Sequence, residues 1–241
     1  MPDTWWRAAD DARLWYATSG PVGDVLLLCS GGPGCGDYLG PIAALVDDAL
    51  HVVRHEQRGC GRSERKGPYT LATTLDDLER LRAHLGIERW RVAGHSWGAD
   101  LALAYALHFP ARTTQVVCIS GGRVHNDRQW HAVYSRRRDE QGELLPPAAM
   151  PYNNEVNARM NESWKQFCKR PDLLARLAAL QVPVHYLLAG DDIRPNWPLL
   201  QVAQLLQHGS AEVIACAQHS IWLTHPQPFR ASVRRALGLT P

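Results

Sequence analysis

The chain has 241 residues, 45% of them hydrophobic, and a formal net charge of +2. This length fits one α/β domain, alone or with one insertion, and the small charge gives no reason to expect a nucleic-acid partner. No apolar run approaches the ~18 residues of a membrane span, and the N-terminus has neither the basic start nor the apolar middle of a signal peptide.

The six cysteines form no Cys-x-x-Cys pair, so we expect no zinc site and no other structural metal. Cys29, Cys118 and Cys216 lie in apolar, strand-like runs and are interpreted as small core residues. Because nothing in their spacing suggests disulfides, a reducing cytoplasm is the expected compartment.

Strand and helix patterns alternate along the first half of the chain, which predicts a mostly parallel sheet with helices on both faces. Residues 5–18 are predicted to form an antiparallel hairpin that turns at Asp10 and Asp11. The next predicted elements are strands at 25–29 and 51–56 and a helix at 39–46.

Thr74 is predicted to cap the following helix through its hydroxyl. Asp76 and Asp77 would then lie in its first turn, near the positive end of the helix dipole. A glycine ends helices readily, so Gly86 is the predicted end of this helix. Strands at 90–93 and 115–120 are predicted to follow it.

From about residue 121 to residue 175 the periodicity is lost, and the chain becomes polar with scattered aromatic residues. The alternation then resumes with predicted strands at 183–189 and 212–217 and predicted helices near 198–207 and 228–237. We therefore predict an α/β core formed by residues 1–120 and 176–241. Residues 121–175 are predicted to be an inserted cap, or lid, over the carboxyl edge of the sheet.

A Gly-His-Ser-Trp-Gly sequence stands at residues 94–98, between a predicted strand and an apolar helix pattern. Gly-x-Ser-x-Gly alone is short and also arises by chance, but at a strand-to-helix junction it is typical of the nucleophile elbow of serine hydrolases. Small residues at Gly94 and Gly98 let the strand and the helix pass closely. Ser96 is therefore the predicted nucleophile.

A serine nucleophile needs a base and an acid that orients the base, and on this fold they follow the serine in the order acid, then histidine. His219 follows the last predicted strand and is the predicted base, whereas His95 is interpreted as structural because neighbours in an elbow point in different directions. The acid should lie in the loop after the preceding strand. Asp192 is favoured there, with Asp191 as the alternative.

Catalysis at Ser96 also requires N–H donors for the developing oxyanion. One predicted donor is the N–H of Trp97, the residue after the nucleophile. The other is expected in the loop Ser-Gly-Gly-Pro-Gly at residues 30–34, where bare backbone can approach the substrate. An ordinary turn and a phosphate-binding loop are the alternatives, but no Lys-Ser/Thr follows as a P-loop requires.

Several segments together resemble one branch of a known superfamily. They are SGGPG at 30–34, EQRGCGRS at 56–63, GHSWGA at 94–99, LALAYALHFP at 101–110, and the DIRP and His219 segments. The chain resembles the proline iminopeptidase branch of the α/β-hydrolase superfamily over nearly all of its core. This resemblance implies an eight-stranded core, no cofactor, a triad of Ser96, Asp192 and His219, and oxyanion N–H groups from Gly31 and Trp97.

The chain departs from the pattern of that branch at three places outside the triad. Ser30 stands where the family usually has His, Glu56 where it has Asp, and His95 where it has Gly. Family aminopeptidases bind the free α-amine of the substrate with acidic residues. Glu155 and Glu162 are candidate equivalents, although both are interpreted as surface helix residues.

Substrate selection is assigned to the predicted cap. Its aromatic residues are too irregularly spaced for one helical stripe, so Trp130, Tyr152 and Trp164 are expected to line the cavity above Ser96, with Glu155 as a candidate partner for an amine. Outside the cap, Arg58 is interpreted as a buried ion-paired strut for the loops around the site, with Glu56 as a candidate partner, rather than a substrate contact.

The expected function is a serine hydrolase that cleaves an ester, lactone or amide bond of a small molecule, with a prolyl aminopeptidase as the alternative. Haloalkane or epoxide opening on the same fold uses an aspartate nucleophile, against which Ser96 argues. A binding module without catalysis would not need Ser, Asp and His in catalytic order. A small-molecule substrate is the expected partner, neither nucleic acid nor a membrane is expected, and the oligomeric state is left open.

Overall fold

The computed structural model describes residues 4–125, 128–146 and 152–240. Its centre is one eight-stranded sheet with the order β1-β2-β4-β3-β5-β6-β7-β8. The strands are β1 (Thr4–Arg7), β2 (Arg13–Ser19), β3 (Val25–Cys29), β4 (His51–His55), β5 (Trp90–His95), β6 (Thr113–Ile119), β7 (Val184–Ala189) and β8 (Gly209–Ile214). All neighbouring strands from β4 to β8 are parallel, while β1 pairs with β2, and β2 with β4, in the antiparallel sense.

Helices cover both faces of this sheet. They are α1 (Gly40–Ala43), α2 (Leu71–His84), α3 (Trp97–His108), α4 (Arg128–Gln141), α5 (Asn154–Cys168), α6 (Leu173–Ala179), α7 (Trp197–Leu205), α8 (Ile221–Thr224) and α9 (Pro226–Ala236). Helices α2, α3, α5, α6 and α7 pack into the apolar core on one face, and α1, α8 and α9 pack into the core on the other. The central strands are buried on both sides, which explains their continuous apolar sequences. The predicted α/β-hydrolase architecture is confirmed.

Two predicted helix boundaries were wrong. Helix α2 begins at Leu71, and the Thr70 hydroxyl rather than that of Thr74 caps it, accepting from the Thr73 N–H at 3.2 Å. Thr70 has the extended backbone that a cap residue needs, whereas Thr74 is already buried inside the helix. The predicted helix at 39–46 is helical only over α1 and continues as turns.

The last strand also differs from its prediction. Strand β8 ends at Ile214, three residues before the predicted end, because the chain turns at Cys216 with a φ of 59°. Cys216 is exposed, so its predicted place in the core was wrong, whereas Cys29 and Cys118 are fully buried as predicted. Strand β8 lies at the edge of the sheet and is partly exposed, so its sequence is less apolar than that of a buried strand. The more apolar residues that follow it were therefore included in the predicted strand.

Arg58 is the predicted buried strut, but its partners differ from the expectation. Its side chain is 3% exposed and binds both oxygens of Asp77 at 2.7 Å, with Asp10 as a second partner at 2.9 Å. Glu56 pairs instead with Arg62 at 2.8 Å. Arg58 therefore ties the hairpin turn to helix α2.

The segment between β6 and β7 contains α4, α5 and α6. Helices α4 and α5 lie within residues 121–175, the predicted cap, whereas α6 extends beyond residue 175. Helix α5 buries Val156, Met160 and Phe167, whereas α4 buries only Trp130 among its described residues. No helix in the described ranges has the length and apolar character needed to cross a membrane. Parallel strands end at one edge of the sheet, and the loops after β3, β5, β7 and β8 therefore meet there.

Candidate active site

Ser96 lies in the turn between β5 and α3, with φ of 56° and ψ of −124°. Residues other than glycine rarely adopt this backbone conformation, and the surrounding structure must hold them in it. Two glycines make the turn passable. A Cβ at Gly94 would collide with the Gly98 carbonyl, and one at Gly98 with the Cys29 carbonyl. The predicted sharp strand-to-helix turn is therefore present, with Ser96 half-buried at its tip.

The structure brings His219 and Asp192 together from two loops. His219 Nδ1 lies 2.5 Å from Asp192 Oδ2, and the two residues are 4% and 3% exposed. Asp192 also accepts the Arg194 N–H at 2.9 Å through its other oxygen. The neighbouring Asp191 is exposed, so of the two candidate acids only Asp192 contacts the imidazole.

The contact with Asp192 determines which nitrogen of the neutral His219 ring carries the hydrogen. Burial raises the pKa of the Asp192 carboxyl, but His219 and Arg194 lower it more, so its net shift is downward. An ionised Asp192 accepts a hydrogen bond from the Nδ1–H of His219, which leaves Nε2 as the ring atom able to take a proton. This is the tautomer that a general base requires.

His219, the predicted base, lies beside the elbow. The rings of His219 and His95 have centroids 4.7 Å apart, and His95 directly precedes Ser96. The Ser96 hydroxyl makes no hydrogen bond to another of the described residues. Catalytic hydrogen bonds in unliganded sites often tighten only when substrate binds.

The two predicted oxyanion donors differ in availability. Trp97 is the first residue of α3, where an α-helix leaves its N–H groups without an intrahelical acceptor. The Gly31 N–H, in contrast, donates to the Tyr38 hydroxyl at 2.7 Å. Gly31 would have to give up this bond to bind an oxyanion, which argues against its predicted role. Among the described residues, no acceptor pairs with the N–H of the next residue, Gly32.

The predicted cap residue Trp130 contacts the acid loop rather than an open cavity. Its side chain is buried and its Nε1 donates to the Pro195 carbonyl at 3.0 Å. Arg137, also on α4, donates to the Asp192 carbonyl at 2.9 Å. Helix α4 therefore holds the loop that carries Asp192, the predicted acid.

Arg194 links the Asp192 carboxylate to Glu143, which follows α4. The Arg194 guanidinium lies 3.3 Å from Asp192 and 2.5 Å from Glu143. Burial lowers the pKa of Arg194, but its two carboxylate partners raise it more, so it stays charged. Glu143 thus neutralises part of the positive charge that Arg194 places beside the acid.

The other predicted substrate-binding residues fall in separate places. The side chain of Tyr152 packs beside Gly32, in the loop at residues 30–34 that is predicted to bind the oxyanion and is called the oxyanion loop below. Glu155 is exposed and, with Glu162, lines a groove of about 710 Å³ between α5 and the loop at 65–70. Trp164 lines a second groove of about 360 Å³ with Val124 and Cys168. Neither groove is lined by Ser96, Asp192 or His219. Of the predicted substrate-binding residues, Tyr152 therefore comes nearest to the candidate site, because it contacts the loop at residues 30–34.

Three functional neighbours were missed by sequence reasoning: Tyr38, Arg194 and Glu143. Arg194 stood in the quoted DIRP segment, next to the acid, and could have been found there. Tyr38 and Glu143 carry no local signal. Within the described parts of the chain, no group of three or more His, Cys, Asp or Glu side chains is arranged to hold a metal ion.

Comparison with known proteins places the chain in a family. A sequence profile described as the alpha/beta hydrolase fold matches residues 24–167. A proline iminopeptidase from Xylella fastidiosa (strain 9a5c) is 43% identical over 114 residues, which are 45% of this chain and 36% of that protein. A proline iminopeptidase from Neisseria meningitidis serogroup A is 39% identical over 231 residues, covering 80% of this chain and 73% of that protein.

A solved structure matches the fold over almost the whole chain. A thermophilic esterase from Thermogutta terrifontis superposes with a TM-score of 0.79 at 22% identity, covering 99% of this chain and 98% of that one. The match to the Xylella fastidiosa relative, in contrast, spans only 36% of that relative's length.

Proposed function

The chain belongs to the α/β-hydrolase family, and we propose that it is a serine hydrolase that cleaves an ester, lactone or amide bond of a small molecule through an acyl-enzyme on Ser96. The observation that carries this proposal is the pairing of Asp192 with His219 at 2.5 Å beside a strained Ser96. A purely structural loop contact would need neither the strain nor the order of the three residues.

In the proposed reaction the Ser96 Oγ attacks the substrate carbonyl carbon while His219 Nε2 takes the proton of the Ser96 hydroxyl. Asp192 stays ionised, holds the ring and stabilises the imidazolium. The N–H groups of Trp97 and Gly32 bind the developing oxyanion. The imidazolium then gives its proton to the leaving group. A water molecule, activated by His219, releases the acid product and restores Ser96.

The substrate class is inferred from charge. An aminopeptidase must neutralise the ammonium of its substrate, and in a closed pocket this requires a carboxylate close to the reacting carbonyl. Glu155 and Glu162 are both exposed, and they share their groove with Arg65 and Arg159. Neither therefore supplies an unbalanced negative charge beside Ser96. A neutral ester or lactone is the favoured substrate.

A prolyl aminopeptidase remains the alternative, and the named relatives favour it. The relative from Neisseria meningitidis serogroup A is a proline iminopeptidase and matches 80% of this chain. The same triad would cleave the amide bond after an N-terminal proline.

A substrate panel separates the two readings. p-Nitrophenyl acetate, p-nitrophenyl butyrate, a δ-lactone and proline p-nitroanilide are assayed with the wild-type protein, and Ser96→Ala is the blank. We expect ester or lactone turnover with kcat/KM at least about tenfold above that for proline p-nitroanilide. Efficient cleavage of proline p-nitroanilide, lost when its amine is acetylated and without esterase activity, would overturn the favoured class and establish the alternative.

A further inference from the structure

A buried chain of hydrogen bonds joins three loops of the candidate site without passing through the triad side chains. The Gly31 N–H donates to the Tyr38 hydroxyl at 2.7 Å, and that hydroxyl lies 2.7 Å from His95 Nδ1. His95 Nε2 lies 3.1 Å from the carbonyl oxygen of His219. The chain therefore runs from the oxyanion loop, through the residue before the nucleophile, to the backbone of the base.

The partners fix the protons in this chain. The His219 carbonyl can only accept, so His95 Nε2 carries the hydrogen and donates it. His95 Nδ1 is then the acceptor, and the Tyr38 O–H donates to it while accepting from Gly31. The ring must be neutral for this pattern, and burial holds the pKa of His95 well below its ordinary value. Only one placement of the hydrogens gives every donor and acceptor in this series of hydrogen bonds a partner.

Packing leaves these side chains little freedom. Tyr38 is 6% exposed and His95 is 2% exposed. The Tyr38 ring stacks on Trp222 with centroids 6.3 Å apart, and the His95 ring meets the same indole edge-on at 4.7 Å. Trp222 belongs to α8, directly after the loop of His219. Any movement of the oxyanion loop or the base loop therefore strains a packed and hydrogen-bonded unit.

We propose that Tyr38 and His95 are positioning residues that hold the oxyanion loop and the His219 loop at fixed distances from Ser96. This inference rests on the proposed hydrolase function. The hydroxyl of Tyr38 holds Gly31, which sets the direction of the next N–H, that of Gly32. His95 holds the His219 backbone at a fixed distance from the elbow through its hydrogen bond to the His219 carbonyl. Neither residue touches the substrate, so both act through their neighbours.

The Tyr38→Phe variant tests one end of the chain. It keeps the ring and its stacking on Trp222 but removes the bonds to Gly31 and His95. We expect kcat for ester hydrolysis to fall about 10- to 100-fold, with KM changed less than about threefold, because the oxyanion forms only after binding. Tyr105→Phe is the matched control, since Tyr105 is also buried and its hydroxyl donates to Glu79 at 2.7 Å, outside the site. It should keep kcat within about twofold.

Conservative rescue tests the other end. In His95→Gln the amide nitrogen reaches the place of Nε2 and can still donate to the His219 carbonyl, whereas His95→Leu fills similar space without any hydrogen bond. We expect His95→Gln to retain about tenfold more kcat than His95→Leu. Both are compared below their thermal midpoints, so that a loss of stability alone does not lower the rate.

The outcomes separate this inference from the proposed function. If the wild-type protein neither hydrolyses esters nor reacts with a fluorophosphonate, the hydrolase proposal fails. If the wild type is active but Tyr38→Phe matches Tyr105→Phe in kcat, or His95→Gln and His95→Leu are equally active, the positioning role is overturned. A selective fall of kcat in Tyr38→Phe together with rescue by glutamine would support it.

Discussion

Replacing Ser96 with alanine should lower kcat for ester hydrolysis by about 10⁴-fold or more and leave the fold intact. The hydroxyl is the proposed nucleophile, and Ser96 occupies the strained turn between β5 and α3. Members of a catalytic triad act as a unit, so removal of one abolishes most of the rate enhancement. Alanine has nearly the volume of serine, so the strained turn should survive the change.

The measurement is steady-state kinetics on p-nitrophenyl butyrate together with a thermal unfolding curve. Ser120→Ala is the matched control, because Ser120 directly follows the next strand, β6, has a positive φ like Ser96, and carries a buried hydroxyl with no partner among the described residues. Activity of Ser96→Ala within tenfold of the wild type would refute the nucleophile assignment.

Replacing His219 with alanine should cost about as much as replacing Ser96. Without the base, the Ser96 proton has no acceptor, and the leaving group has no donor. The Ser96→Ala, His219→Ala double variant should be scarcely worse than either single variant, because the two residues perform one step together. If the two losses multiplied, the residues would act in separate steps and the assignment would be wrong.

Substitution of two adjacent aspartates, Asp191 and Asp192, tests which of them is the acid. Asp192→Asn keeps the shape of the side chain but loses the charge that holds the His219 tautomer, and kcat should fall by about 10⁴-fold. Asp191→Asn is the matched control, since Asp191 is exposed and does not contact the imidazole. It should change kcat less than about threefold. The reverse ranking would move the acid to Asp191.

Local and periodic signals made much of the core predictable. The antiparallel hairpin, the buried strand β3 and the helix end before Gly86 each depend on neighbours in sequence, and each was found as predicted. The elbow was predictable for the same reason. It is a short pattern between a strand and a helix, and its two glycines are required by close approach of the backbone.

Tertiary contacts were not predictable from the sequence. The Gly31 N–H, predicted to bind the oxyanion, donates to the Tyr38 hydroxyl, seven residues away, through a contact that no spacing indicates. Trp130 was expected at the substrate, yet its indole N–H lies on the Pro195 carbonyl, a partner set by how α4 docks on the acid loop. Glu56 was a candidate partner for Arg58, but Glu56 pairs with Arg62 and Arg58 pairs with Asp77.

The central claim is that Ser96 becomes acylated through the His219–Asp192 pair. It is tested most directly by treating the protein with a fluorophosphonate and locating the adduct by peptide mass spectrometry. The account predicts one adduct per chain on Ser96, formed at least about 100-fold more slowly in His219→Ala. Ester hydrolysis that continues while Ser96 stays unmodified, or an adduct on a different residue that abolishes activity, would contradict it.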